Sequence, residues 1–242
     1  MLAGWSAAAC GAEHCAVLTG AGISAESGVP TFRGPDGLWK QHRPEDLATP
    51  EAFERNPELV REWYQYRRSL LEGIAPNAGH RALTALERYF ETFTLITQNV
   101  DGLHALAGNS EVVELHGNIR RDRCHRCGRR QAASGPPECA CGGPMRPDVI
   151  WFGELLPMEA VERAWRAAAT AQLFLVVGTS ALVYPAARIP YLAKEADAFV
   201  VEVNTATTPF SDEADLVLRG AAGHWLPLLV DALPAGREEA GG

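Results

Sequence analysis

No apolar stretch in this 242-residue chain approaches the roughly 20 residues that a membrane span requires, because glycine, proline or a charge interrupts every run. The first ten residues contain neither lysine nor arginine, so the positive region that opens a secretory signal is missing. Cytoplasmic residence is the resulting expectation. A positive charge balance is missing as well. The net charge of −8 argues against a protein that wraps nucleic acid, and it leaves a basic protein tail as a suitable partner. No internal repeat is present. Cysteine is scarce, with six residues, of which Cys10 and Cys15 stand alone. Cys15 lies in an apolar run and reads as a small buried hydrophobe without a chemical role.

What remains suffices for a full core, since 47% of the residues are hydrophobic. Apolar, β-branched runs at 16–19, 93–97, 112–115, 173–177, 199–203 and 216–218 read as buried strands. Helical patterns lie between most of them. Asn56 and Pro57 start one that runs to about residue 72, and Asn77 starts another through residue 90. Further helices are predicted over 158–171, 185–196 and 222–233. Strands alternating with helices imply an α/β fold with a doubly wound, parallel, Rossmann-like sheet. Residues 1–121 and 148–233 are assigned to it, 122–147 to a small inserted module, and 234–242 to a disordered tail.

The insert holds the other four cysteines. Cys124 and Cys127 are separated by eleven residues from Cys139 and Cys141, with Ser134, Gly135, Pro136 and Pro137 marking a turn between them. Four thiolates brought together this way can close one tetrahedral structural zinc site. The second pair, C-x-C, is shorter than the usual C-x-x-C. A disulfide or free thiols are the alternative, disfavoured in a cytosolic protein.

Polar and glycine-rich segments follow several strands. Ligands of an open parallel sheet bind beyond the carboxyl ends of its strands, so these segments should meet in one crevice. After the first strand come Gly20, Ala21, Gly22, Ser24, Ala25 and Glu26, a G-x-G-x-x-A form of the dinucleotide fingerprint. Its glycines let backbone approach a pyrophosphate, and a following helix N-terminus supplies free N–H groups. An ordinary Rossmann unit would place an acidic residue some twenty positions on, at the end of a second strand. Instead residues 27–39 form a Gly/Pro-punctuated loop, which favours a mobile cover over a cofactor. Thr97, Gln98, Asn99 and Asp101 end another strand with a burst of polar groups that is costly to bury without a ligand or a network. His116 follows the run 112–115, and its imidazole can serve as a base near neutral pH.

Two more segments read as substrate-facing. Residues 147–154 are extended, β-branched and aromatic, suited to pairing with a peptide through main-chain hydrogen bonds, with a plain core strand as the alternative. In the helix from Pro57, Val60, Tyr64, Arg67 and Leu71 share one side, so a guanidinium interrupts an apolar line. Arg67 can grip a carboxylate bidentately and Tyr64 can add a donor. A snorkelling Arg67 over a core Tyr64 is the alternative.

Together these segments, from about residue 17 to 222, resemble the sirtuin family of NAD-dependent protein-lysine deacylases. The resemblance implies that His116 is the catalytic base, with Asn99 and Asp101 lining the nicotinamide pocket and Gln98 contacting the ribose. It further implies that Thr31, Phe32 and Arg33 belong to the cofactor loop. Gly178, Thr179, Ser180, Asn204, Thr205 and Ala222 match positions around phosphate, ribose and adenine. Val149, Trp151, Phe152 and Gly153 match the segment that clamps the substrate peptide. The Tyr64/Arg67 pair matches the class that removes succinyl, malonyl and related acidic acyl groups. In the implied reaction the acyl-lysine carbonyl oxygen attacks the ribose C1′ as nicotinamide leaves, His116 activates a ribose hydroxyl, and water releases free lysine and acyl-ADP-ribose. NAD is thus consumed. A dehydrogenase, a mono-ADP-ribosyltransferase and a non-catalytic NAD or ADP-ribose module are the alternatives.

Overall fold

The computed structural model describes residues 2–30 and 44–235. The strands are β1 (His14–Thr19), β2 (Thr92–Thr97), β3 (Val112–Glu114), β4 (Gly117–Cys124), β5 (Arg130–Ala132), β6 (Met145–Val149), β7 (Leu173–Val177), β8 (Phe199–Asn204) and β9 (Leu216–Arg219). The helices are α1 (Ala3–Gly11), α2 (Pro44–Leu47), α3 (Pro50–Arg55), α4 (Pro57–Ser69), α5 (Ala78–Tyr89), α6 (Leu103–Ala107), α7 (Met158–Thr170), α8 (Ile189–Glu195) and α9 (Ala222–Asp231). Six strands form one sheet in the order β3-β2-β1-β7-β8-β9, parallel throughout.

Successive side chains of a strand point to opposite faces, and both faces here are apolar. Val17, Leu95, Leu175 and Val201 join one layer with Trp5 of α1, Leu83 of α5 and Leu226 of α9. Ala16, Leu18, Phe174 and Val200 join the other with Ala164 and Ala168 of α7 and Ile189 of α8. This is the doubly wound sheet that the strand runs predict. The order reverses between β1 and β7, which opens a crevice at their carboxyl ends.

Helix starts follow the sequence closely. Asn56 accepts from the Leu59 amide to cap α4, and Asn77 accepts from Gly79 and His80 to cap α5. The predicted helix over 185–196 is instead a 3-10 turn, Ala186–Arg188, followed by α8, with Pro190 in the first turn of α8, where its missing N–H leaves no helical bond unmade.

Two corrections concern the insert. Its antiparallel sheet, in the order β5-β4-β6, begins at Gly117 and ends at Val149, beyond the expected bounds of 122 and 147. Helices α2 to α4, assigned from sequence to the large domain, contribute Leu47, Phe53, Val60 and Tyr64 to an apolar cluster with Ile119, Val149 and Trp151 of this smaller body. Period alone identifies an apolar helix face, not which sheet it covers. The segment 234–242 falls mostly outside the described residues.

Candidate active site

At the switch point two loops meet backbone to backbone. The Gly20 amide donates to Val177 O at 2.9 Å and the Gly22 amide to Gly178 O at 2.8 Å. A Cβ at Gly20 or Gly22 would stand 2.8 or 2.7 Å from atoms of residue 178. These glycines therefore serve loop-on-loop packing. The expected helix after them is a seven-residue 3-10 helix, Ala21–Ser27, closed by Gly28 at φ 88°. Glycine suits that left-handed position.

The polar burst after β2 is fully knitted in. Ser24 Oγ donates to Asp101 Oδ2 at 2.8 Å, and Asn99 Nδ2 donates to Gly20 O at 3.1 Å and to Ser24 Oγ at 3.2 Å. Asp101 Oδ1 accepts from the Leu103 amide at 2.9 Å. Burial pushes the Asp101 carboxyl above its ordinary range, although the Leu103 and Ser24 bonds oppose the shift. Gln98 Nε2 donates to Thr179 Oγ1 at 2.9 Å, and Asn204 Nδ2 donates to Thr179 O at 2.6 Å, so residues from three strand ends are tied into one rim.

Two buried histidines complete the floor. His104 Nε2 lies 2.9 Å from Thr19 Oγ1, His80 Nε2 lies 3.4 Å from Ser24 Oγ, and the two rings are 4.9 Å apart. Desolvation drives His80 down to about 4 and His104 to about 3, with the Arg81 charge adding to the first shift and His80, once protonated, to the second. Sequence reasoning missed His80. Its position at the capping turn of α5 carries no signal that its ring would reach Ser24 and His104.

His116 stands between the two sheets. Its Nδ1 lies 2.9 Å from Gln98 O. A carbonyl only accepts, so Nδ1 carries the proton and Nε2 keeps a lone pair. Burial lowers the imidazole below 6.5, and the Gln98 bond partly restores it. Gly117 follows at φ 78°, where a side chain would collide with Asp148 O, and this turn starts β4.

Other sequence-predicted residues are distributed unevenly. Ser180, Ala25, Glu26 and Thr205 are exposed, and Ala222 is buried in the sheet core. The Glu26 carboxylate accepts from the Gly223 amide at 2.6 Å, so it caps α9 instead of facing the crevice floor. Thr31, Phe32 and Arg33 lie outside the described residues. The substrate segment is not extended throughout. β6 ends at Val149, Val149 and Trp151 are buried in the core, and Phe152 is exposed with its amide donating to Ala48 O at 2.9 Å. Gly153 turns the chain at φ 86°.

A cavity beside the floor is lined by Ala21, Ser24, Arg67, Leu71, Asn99, Asp101 and Ile119, among others. Arg67 is 8% exposed and its Cζ lies 5.1 Å from the centroid of the Tyr64 ring. Desolvation lowers the guanidinium from its ordinary value, opposed first by Tyr64. An apolar helix face thus delivers a buried cation to the same cavity as Asn99 and Asp101.

At the far end of the small sheet, the Sγ atoms of Cys124, Cys127, Cys139 and Cys141 all lie within 4.8 Å of one another. Cys124 and Cys141 approach to 3.5 Å and Cys127 and Cys139 to 3.7 Å. Zn–S bonds of about 2.3 Å place tetrahedral sulfurs about 3.8 Å apart, so the donor set fits one structural zinc ion. No disulfide joins them.

Residues 20–185 match the Sir2 family. The chain is 53% identical to an NAD-dependent protein deacylase of Aquifex aeolicus over 89% of this chain and 93% of that one. It is 51% identical to an NAD-dependent protein deacylase of Thermus thermophilus, over 94% and 93%. Among solved structures it superposes on a Sir2 homologue in complex with NAD at a TM-score of 0.87, with 43% identity over 94% of this chain and 91% of that one. A Sir2 structure with a p53 peptide and NAD+ gives 0.85 and 31% identity over 96% and 98%.

Proposed function

The chain belongs to the Sir2 family, and from that premise we propose that it is an NAD-dependent protein-lysine deacylase acting on acetyl and acidic acyl groups. Its products are nicotinamide, acyl-ADP-ribose and free lysine. The observation that carries this reading is His116, whose Nδ1 is committed to Gln98 O, which leaves the lone pair of the base on Nε2. NAD, when bound, supplies a ribose carbon from which nicotinamide can leave.

The chain's own residues have separable tasks. The backbone of 20–22 and 178–179 with Gln98 and Asn204 forms the rim that would hold the dinucleotide, and Asn99 and Asp101 face the cavity that would take the nicotinamide end. His116 takes a proton at Nε2, and the resulting imidazolium keeps its bond to Gln98 O. Arg67 and Tyr64 offer donors to a carboxylate, which a succinyl or malonyl group has and an acetyl group lacks. Val149 to Gly153 flank the site and are assigned to the substrate peptide, Val149 and Trp151 through backbone because their side chains are buried. The four cysteines would hold a zinc ion that ties β4 to the 139–141 loop and takes no part in the chemistry. No helix among the described residues is long and apolar enough to cross a membrane. A cytoplasmic site of action and basic protein tails as substrates belong to the same proposal.

Purified protein with NAD and matched acetyl, succinyl and butyryl peptides, analysed by mass, tests it. Free acyl-ADP-ribose with stoichiometric nicotinamide is expected. Protein carrying ADP-ribose would turn the reading to mono-ADP-ribosyl transfer, and absence of peptide-dependent nicotinamide release would leave a binding module.

A further inference from the structure

A line of packed groups runs behind Tyr64. Arg146, 1% exposed, donates from Nη1 to Glu154 Oε1 at 2.7 Å and from Nη2 to Glu154 Oε2 at 2.8 Å and to Val149 O at 2.8 Å. Its Cζ lies 3.5 Å from the centroid of the Trp151 ring. The Trp151 amide donates to the same Glu154 Oε2 at 2.8 Å. Ring and backbone of Trp151 are thus both held by the Arg146–Glu154 pair. Burial raises the Glu154 carboxyl, yet the bonds from Arg146 and the Trp151 amide outweigh it, and the group stays ionised to lower pH than usual. A persistent anion keeps the guanidinium against the indole.

The indole points one way. Its Nε1–H donates to Tyr64 Oη at 2.9 Å. A phenol has one proton to give, and the Arg67 guanidinium beside it is also a donor only. Among the described residues the Tyr64 hydroxyl therefore acts as an acceptor, and its own proton has no acceptor. Tyr64 is 2% exposed, so a donor left there favours a ligand atom that can only accept. A carboxylate is such a group, and a methyl is not.

We propose that Trp151 is a positioning residue for acyl choice: its indole N–H occupies the acceptor side of the Tyr64 hydroxyl and commits the phenolic proton to the acyl carboxylate, with Arg146 and Glu154 holding the indole in register. The inference rests on the acidic-acyl reading of the Tyr64/Arg67 pair. It adds a selectivity determinant that is not in the cavity wall.

The test measures kcat/KM for matched succinyl and acetyl peptides in wild type, Trp151→Phe, Tyr64→Phe, the double variant and Arg67→Met. Trp151→Phe keeps a ring over Arg146 and removes the N–H. It is expected to lower the succinyl-to-acetyl ratio about fivefold, chiefly through KM, the loss typical of one neutral hydrogen bond. In the Tyr64→Phe background the same change should add less than twofold, because the hydroxyl it orients is gone. A ratio unchanged by Trp151→Phe, or a full additive loss in the double variant, overturns the proposal while a fallen ratio in Arg67→Met keeps the acidic-acyl reading. An unchanged ratio in Arg67→Met overturns both. Should Trp151→Phe fail to fold, Arg146→Lys, which removes the planar stack, must lower the ratio in the same direction; an unmoved ratio there also overturns the proposal.

Discussion

In the six-stranded sheet every residue of β7 is buried and its side chains alternate between two apolar layers, whereas among the described residues the apolar cluster at the cysteine end of the three-stranded sheet comprises Cys124, Cys139 and Met145. Charge fills the gap. Asp148 takes Arg121 at 3.1 Å and Arg130 at 2.9 Å, Arg68 meets Asp122 at 2.5 Å, and Glu154 holds Arg146 and Arg123. Ion pairs give direction more than net stability. One chain thus uses two means of cohesion, non-directional burial where a rigid floor is needed, and metal plus directed bonds where too little core exists to fold alone. His116 sits at the seam, fixed to Gln98 after β2 and followed at once by the first residue of β4.

The contrast breaks most sharply on metal removal. Purified protein should carry close to one zinc per chain, and stripping it should free amide exchange across residues 117–149 while β1 and β7 stay protected, with a loss of up to ~10 kcal/mol locally. A content below about 0.2 zinc per chain, or equal deprotection of both sheets, would erase the distinction.

Next in size is the seam itself. His116→Ala should lower deacylation by about 10² to 10⁴ with thermal stability unchanged, the usual worth of a general base. Activity within threefold of wild type would remove the histidine from the chemistry.

Arg67→Met should lower kcat/KM for a succinyl peptide by about thirtyfold to several thousandfold, since a desolvated carboxylate would be left unpaired. Tyr64→Phe should act in the same direction more weakly. Equal losses on acetyl and succinyl peptides would place Arg67 among the groups that hold the small body together.

The smallest effect is on pH dependence, and it belongs to the large sheet's floor. An unfolded chain binds protons near 6.5 that the folded chain refuses until about 4 at His80 and about 3 at His104. The unfolded state then holds more protons, so stability should fall as pH drops through this window and stay level above it. Urea midpoints between pH 7.5 and 5 check this, and a level profile would show that the rings are not buried neutral. His116 is also depressed by burial, so the acidic limb of kcat/KM should lie below pH 6.5.

The strands of the large sheet, the main helix caps and the cysteine pairs were legible because each is written in local spacing. Residues 173–177 are apolar without interruption, and a strand buried on both faces must be. Asn56 and Asn77 announce their helices through a side chain that reaches an amide two or three residues on. Resemblance assigns His116, Asn99 and Asp101 to one crevice; Asn99 and Asp101 line one cavity, and His116 Nδ1 meets the carbonyl of the neighbouring Gln98. Glu26 and Ala222 match cofactor positions by resemblance; in the structure the Glu26 carboxylate accepts from the Gly223 amide and Ala222 packs in the core.

By itself, then, the chain's order of residues determined which segments form the strands of the six-stranded sheet, that this sheet is doubly wound, which loops carry polar chemistry, and that four thiols lie close enough in sequence to meet. These are properties of neighbours a few residues apart. Only the tertiary structure decided that α2 to α4 pack on the small sheet, that Gly20 and Gly22 meet the backbone of residue 178, that His80 and His104 touch, and that Trp151 donates to Tyr64. Each of those joins residues 24 or more positions apart. Such contacts depend on which buried surfaces and hydrogen-bonding groups find one another as the whole chain packs, and no local period or motif encodes that choice.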